Sequence, residues 1–217
     1  MQKLTTAEMG RMSVEEYHEA DKLPLVVVLD NVRSQHNVGA VFRTADAMRI
    51  ERVVLCGICC CPPNQEIHKT ALGAEESVEW SYFKETLEAV RELQAQGYTV
   101  YAVEQAHDSM TLEEAAEEIK NSYPKGTIVS KLKIKNGPKI AVVLGHEVFG
   151  VQQEVVDRCD GCIEIPQYGT KHSMNVSVTA GIVMYRISGA LRNEKLKIKN
   201  YELFSQNIIS GKEQRGG

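Results

Sequence analysis

No stretch of this 217-residue chain is long and apolar enough to span a bilayer. Its first 22 residues, MQKLTTAEMGRMSVEEYHEADK, lack an apolar core of signal-peptide length. Both absences argue against a membrane or exported protein and set the expectation of a cytoplasmic one. Also missing are a Gly-x-Gly-x-x-Gly after the first apolar run and a P-loop signature anywhere. Without them the dinucleotide and P-loop readings lose their main support. Basic residues are not in excess: 25 Lys and Arg stand against 29 Asp and Glu, a net charge of −4. That excludes a globally basic nucleic-acid binder, although a local patch can still attract phosphates. The six cysteines do not suggest a disulfide framework, because Cys59, Cys60 and Cys61 are adjacent.

What is present is the material of one α/β domain. Hydrophobic content of 43% and charge of 25% are ordinary globular values, and the length suits one buried core better than two. Residues 25–29 are an apolar, Val-rich run, as in a strand buried on both faces. Residues 38–48 then carry apolar side chains at helical spacing. Further strands are expected at 52–56, 98–103, 140–144 and 162–165. The amphipathic stretch 83–96, with Phe83, Leu87, Val90 and Leu93 on one face, reads as a helix stopped by Gly97. Thr111 and Glu114 pair as a capping box before a short acidic helix, and another helix is expected near 152–158. The alternation predicts βαβ units and a mainly parallel sheet flanked by helices. The expected division is an N-terminal helical arm at 1–24, a domain at 25–192 with a polar insertion at about 121–139, and a polar, flexible tail at 193–217.

Three segments each end a β-branched run in a polar turn. They are 31–48 (NVRSQHNVGAVFRTADAM), 140–151 (IAVVLGHEVFGV) and 163–185 (IEIPQYGTKHSMNVSVTAGIVMY). In order and spacing they resemble the three motifs of the SpoU (TrmH-like) family of RNA 2′-O-ribose methyltransferases, within the SPOUT superfamily. Asn37, Gly39 and Arg43 fit the first motif, and Gly145, Glu147 and Gly150 the second. Ile165, Pro166, Gly169, Ser173, Met174 and Asn175 fit the third. Gln167, Tyr168 and His146 depart from the pattern without removing a polar group that the family's chemistry uses.

The resemblance implies more than periodicity can. It implies a C-terminal deep trefoil knot, a rare exception to unknotted folding, and a homodimer packed through the knot region. Surplus apolar residues at 174–191 agree with such an interface. It implies S-adenosylmethionine as cofactor and methyl transfer to a ribose 2′-OH of structured RNA, tRNA or rRNA. No membrane or DNA partner is expected. The N-terminal segment is shorter than the RNA-binding domain of several rRNA-directed relatives, which tilts the expectation towards tRNA. The cofactor residues so implied are Val103, Glu104, Leu144, Gly145, Gly150, Ile165, Pro166, Ser173 and Met174. Ile165 and Met174 suit an adenine slot, or are simply core.

A ribose hydroxyl is a poor nucleophile, so the site must position it and stabilise the negative charge that forms. Arg43 is the residue expected to do so. A guanidinium pKa of about 12.5–13.8 suits electrostatic and phosphate-positioning work better than literal base catalysis. The plain alternative is a helix-surface arginine in a salt bridge. Asn37 either holds the catalytic arrangement or caps the helix at 38. Glu147 orients Arg43 or Asn175, or is a solvated turn residue. Ser173 and Asn175 supply a hydroxyl and an amide at a helix start, where capping is the ordinary use.

Rival readings rest on weaker patterns. His36, His146 and His172 fall within the motifs, but loop histidines more often only hydrogen-bond, and they stay outside the catalytic set. The hexapeptide KLKIKN occurs at 131–136 and 195–200. Its lysines Lys131, Lys133 and Lys135 are candidate RNA contacts, although charge runs are commonly solvated surface. Cys56 with Cys59 and Cys159 with Cys162 have paired zinc-ligand spacing. Cys56 and Cys162 abut apolar strands, where free thiols are common, and no metal is expected. Two other classes compete with the enzyme: an RNA-binding relative without catalysis, and a small zinc module.

Overall fold

Apolar runs rich in valine set the centre of a seven-stranded sheet in this computed structural model, which describes residues 2–5, 8–123 and 137–192. The strands are β1 (Leu23–Asp30), β2 (Ile50–Cys56), β3 (Glu79–Phe83), β4 (Tyr98–Val103), β5 (Met110–Thr111), β6 (Lys139–Leu144) and β7 (Gly161–Glu164). Their order is β3-β2-β1-β6-β4-β7-β5, and each pairing between them is parallel. Helices α1 (Val14–Glu19), α2 (Gln35–Met48), α3 (Gln65–Ala71), α4 (Ala74–Ser77), α5 (Thr86–Ala95), α6 (Leu112–Asn121), α7 (Gln153–Arg158) and α8 (Val176–Leu191) flank it.

The burial pattern explains the continuous apolar runs. Leu25, Val27 and Leu29 of β1 pack with α2, α6 and α8, while Val26 and Val28 face α5 and α7. A parallel strand covered on both sides needs apolar residues at every position. Full burial of Phe42 on α2 adds about 2–3 kcal/mol of transfer free energy. Gly39 has a steric role: a Cβ there would meet Thr70 Oγ1 at 2.2 Å and Ile67 O at 2.3 Å, so α3 could not approach α2 as it does.

Two expectations are corrected. Phe83 does not open a helix; it closes β3, paired with Cys56, and α5 starts at Thr86. The first-motif helix is capped by Ser34 and not by Asn37, because the Ser34 hydroxyl accepts from the Asn37 N–H. Helices α3 and α4 were not expected, since α3 buries only Ile67 and Ala71. The capping box at Thr111 and Glu114 and the stop at Gly97 both occur as read.

Parallel strands bring their C-terminal ends to one edge of the sheet. The loops after β1, β4, β6 and β7 therefore converge there, and they carry the motif turns. Helix α8 packs against α2, α6 and β1. It buries Val183, Met184 and Ile187 yet leaves Val178, Ile182 and Tyr185 at 53%, 38% and 66% exposure. Among the described residues no helix is long and apolar enough to cross a membrane. Lys131, Lys133, Lys135 and both KLKIKN copies lie outside the described residues.

Candidate active site

Glu147, in the turn after β6, is the hub of the site. Its Oε1 accepts from the Ser34 N–H at 2.8 Å and from Asn37 Nδ2 at 3.0 Å, and its Oε2 from the Arg33 N–H at 3.1 Å. Asn37 Oδ1 in turn accepts from Asn175 Nδ2 at 3.1 Å. One side chain from each motif segment thus joins a single hydrogen-bonded chain. Burial pushes the Glu147 carboxyl pKa up, but hydrogen bonds from its own backbone, Ser34, Arg33 and Asn37 outweigh burial and hold it below the ordinary value. Glu147 is a fixed anion at the N-terminus of α2, where the helix dipole favours it. Asn175 keeps the capping role as well: its Oδ1 accepts from the Ser177 N–H at 2.9 Å and the Val178 N–H at 3.3 Å. That leaves its Nδ2 as the donor to Asn37, which fixes the amide orientation.

A cleft of about 270 Å³ adjoins this network. Buried Leu144 and Ile163 and half-buried Val103 and Ile165 give it an apolar floor, while Glu104, Glu164 and Ser173 bring polar groups to its wall. One side is a tight hairpin in which His146 N–H donates to Gly150 O at 3.0 Å and Gly150 N–H to His146 O at 2.9 Å. A Cβ on Gly145 would meet Gly150 C at 2.0 Å, and one on Gly150, at φ +69°, would meet Glu104 Oε2 at 2.0 Å. Glycine at both places lets Glu104 accept from the Val151 N–H at 3.1 Å, which ties the β4 loop to the hairpin.

The expected cofactor residues Val103, Glu104, Leu144, Gly145, Gly150, Ile165, Ser173 and Met174 all line this cleft; Pro166 is exposed beyond its lining. Arg43 is not brought to it. Six residues after Asn37, it points about 120° away around α2. Its exposed guanidinium has no hydrogen bond or ion pair with a described residue and lines a separate depression. Glu147 therefore orients Asn37 and, through it, Asn175, and does not touch Arg43.

Residues 24–185 match the profile of the SpoU rRNA Methylase family. The chain belongs to that family. It is 31% identical over 176 residues to the 23S rRNA (guanosine-2′-O-)-methyltransferase RlmB of Neisseria meningitidis, a match over 80% of this chain and 62% of that protein. It is 29% identical over 195 residues to the tRNA (guanosine(18)-2′-O)-methyltransferase of Thermus thermophilus, over 90% of this chain and 88% of the other. The chain thus spans about three fifths of the rRNA-directed relative's length. Among solved structures, the A. aeolicus TrmH/SpoU tRNA modifying enzyme superposes with a TM-score of 0.65 at 24% identity, covering 85% of this chain and 83% of its own. The AdoMet-bound rRNA methyltransferase from Sinorhizobium meliloti gives 0.61 at 23% identity, covering 82% and 60%. These likenesses are of fold: an α/β domain on a mainly parallel sheet.

Within this SpoU domain some contacts had no sequence signal. Gln105 Nε2 donates to the His172 carbonyl at 3.0 Å, tying the β4 loop to the third-motif loop. His146 turns inward on its own hairpin, with Nδ1 accepting from the Val148 N–H at 3.0 Å. His36 stands 3.3 Å from Glu66 of α3, outside the cleft lining. Burial pushes the thiols of Cys56, Cys59 and Cys159 up to about 12. Among the described residues no group of three or more His, Cys, Asp or Glu could hold a metal ion.

Proposed function

We propose that this chain is a cytoplasmic, S-adenosylmethionine-dependent RNA 2′-O-ribose methyltransferase that works as a homodimer. The observation that carries the reading is the chain Glu147–Asn37–Asn175 beside the cleft, because it couples the first-motif helix to the cofactor wall. Structured RNA is the substrate class. tRNA is favoured by the relative that matches over 90% of this chain and 88% of itself. Residues 25–192 are the methyltransferase domain in this reading, with 1–24 as arm and 193–217 as tail.

The cleft suits the cofactor on its own chemistry. Leu144, Ile163, Ile165 and Met174 offer an apolar slot for adenine, and the Gly145–Gly150 hairpin lets backbone come close. Glu104 and Glu164 favour a cation nearby. When bound, S-adenosylmethionine supplies a methyl group on a sulfonium, ready for an oxygen nucleophile. Ser173 and Asn175 hold the ribose through a hydroxyl and an amide. Arg43 stabilises the charge that forms as the 2′-OH loses its proton.

Arg43 lines no part of its own chain's cleft, so a second copy is needed to bring the two together. Exposed Val178, Ile182 and Tyr185 on α8 supply the dimer contact. A trefoil knot in which α8 passes through the preceding loop belongs to the same proposal, and its packing on α2 and α6 supports it. Lys131, Lys133 and Lys135 are assigned further RNA contacts.

Calorimetry should find one S-adenosylhomocysteine site per chain, and light scattering a dimer at micromolar concentration. Methyl-acceptor assays on fractionated tRNA and rRNA should yield a 2′-O-methylated ribose. A folded sample that binds neither the cofactor nor its demethylated product ends the enzyme reading. Cofactor binding and RNA binding without methyl transfer would instead favour the non-catalytic relative.

A further inference from the structure

Among the described residues Asp30 is the fully buried carboxylate, and the chemistry proposed above leaves it unused. It ends β1 and, in phase with Val26 and Val28, points to the face of the sheet covered by α5 and α7. Three uncharged donors hold it there. Its Oδ1 accepts from Thr86 Oγ1 at 2.6 Å and from Asn31 Nδ2 at 2.9 Å, and its Oδ2 from the Gln152 N–H at 2.9 Å. Taking a carboxylate out of water is costly, and these donors offset the cost. An amide would accept through one oxygen only, so the site calls for the acid.

The backbone around Asp30 is shaped for this arrangement. Asn31 is left-handed at φ +56°, an uncommon state for a residue other than glycine. The turn brings its side chain back to the strand end, where Nδ2 also donates to Gln152 Oε1 at 3.1 Å and Oδ1 accepts from the Ile58 N–H at 3.1 Å. Gly57 makes room, since a Cβ there would lie 2.1 Å from Asn31 Oδ1. Gln152 stands two residues past Gly150, and Val151 between them is held by Glu104. Before the hairpin tip, Glu147 is tied to the Arg33 and Ser34 N–H groups. The turn after β1 and the hairpin after β6 are therefore stitched twice, by Glu147 before the tip and by Asp30 with Asn31 after it. Asp30, Asn31 and Gln152 line no part of the cleft. Backbone strain that is held by surrounding bonds concentrates at functional sites.

We infer that Asp30 and Asn31 are positioning residues for the cofactor: they set the exit of the hairpin through Gln152 and so fix the Gly145–Gly150 wall from outside the cleft. The inference deepens the proposed function and rests on the cleft being the S-adenosylmethionine site. An Asp30 that only stabilised the fold would do so through Thr86 as much as through Gln152. A positioning Asp30 acts on the cofactor through Gln152 alone.

The test is S-adenosylhomocysteine calorimetry on the full chain, with amide hydrogen exchange followed at Gln152. Asp30→Asn should bind about tenfold more weakly, the factor of one lost hydrogen bond to a charged group when all of it falls on binding. The Gln152 amide should exchange faster in the same variant. With tRNA present, the KM for S-adenosylmethionine should rise by a similar factor while kcat at saturating cofactor holds, because Glu147 keeps its own donors. Thr86→Val removes the bond from α5 and leaves the one to the hairpin, so it should lower the denaturation midpoint and bind the homocysteine as wild type. Asn31→Gly takes φ +56° without strain and should weaken binding about threefold, and it carries the test if Asp30→Asn does not fold. Wild-type affinity in the folded variant would overturn the inference. So would equal losses of affinity in Asp30→Asn and Thr86→Val, the mark of a residue that only stabilises the fold. A wild-type chain that binds no homocysteine would fail the cofactor reading itself, a separate result that removes this role as well.

Discussion

The cleft, which Asn37 of α2 reaches only through Glu147, and the arginine-lined depression on the outer side of α2 are built differently. At the cleft, polar groups close on one another: Glu147 takes three donors, Asn37 bridges to Asn175, and Glu104 holds the hairpin through Val151. Glycines at 145 and 150 bring backbone so close that no side chain would fit. At the depression, the guanidiniums of Arg43 and Arg49 make no hydrogen bond or ion pair with a described residue. The first region is preorganised by the chain itself, so its geometry costs little to maintain when a ligand enters. The second leaves those two charges to solvent. Such a division agrees with the proposal that the cleft binds its cofactor in one fixed pose.

The largest effect that would sharpen this contrast is expected from Arg43→Ala. Turnover at saturating RNA and cofactor should fall a hundredfold or more, about 3–4 kcal/mol, the scale of one lost preorganised donor. S-adenosylhomocysteine affinity should hold, because Arg43 lines no part of its own chain's cleft and, in the proposed dimer, faces the nucleophile. Single-turnover assays read the first quantity and calorimetry the second; near-normal turnover would remove Arg43 from the chemistry. Gly145→Ala attacks the other region. Its Cβ would lie 2.0 Å from Gly150 C, so the hairpin must shift. Stability should drop by about 1–3 kcal/mol, as overpacking does, and cofactor binding should be lost while RNA still binds. Wild-type cofactor affinity in that variant would show that the hairpin is not the cofactor wall.

What could be read from the sequence follows the same divide between closed and open surroundings. Strands β1 and β6 were legible because burial on both faces leaves only apolar residues at 25–29 and 140–144. The edge strand β3, EWSYF, has no fully buried position, and Phe83 falls in helical phase with Leu87 and Val90. Pairing with β2, a tertiary event, decides it. The motif residues were legible as a set, through resemblance, but their partners were not. Glu147 and Asn37 lie 110 positions apart, and both Ser34 and Asn37 are residue types that cap helices. Ser34 takes the cap because the Asn37 amide is drawn to Glu147. Arg43 fits its motif, yet only the helix geometry shows that it leaves the cleft.

The smallest expected effect tests whether the network is ionic. The Glu147 carboxyl has a lowered pKa in the folded chain, so it gives up its proton more readily there than in the unfolded chain. Its stabilisation is then complete above the unfolded value, about 4.3, and is lost as pH falls through the folded value. Glu147→Gln removes that titration and turns an NH₂ towards the N–H of Arg33 or Ser34, where an oxygen accepted before. The variant should be less stable at pH 7 by about 1–2 kcal/mol, a hydrogen bond to a charged group discounted for the partial exposure of Glu147. As pH falls through the folded value the wild type loses the same contribution, so the two stability curves should converge towards the acid end. Chemical denaturation at a series of pH values measures both. Curves that stay parallel would mean that α2 does not hold Glu147 as an anion, and the chain from Glu147 to Asn175 would then be a neutral contact without the fixed charge that aligns Asn37.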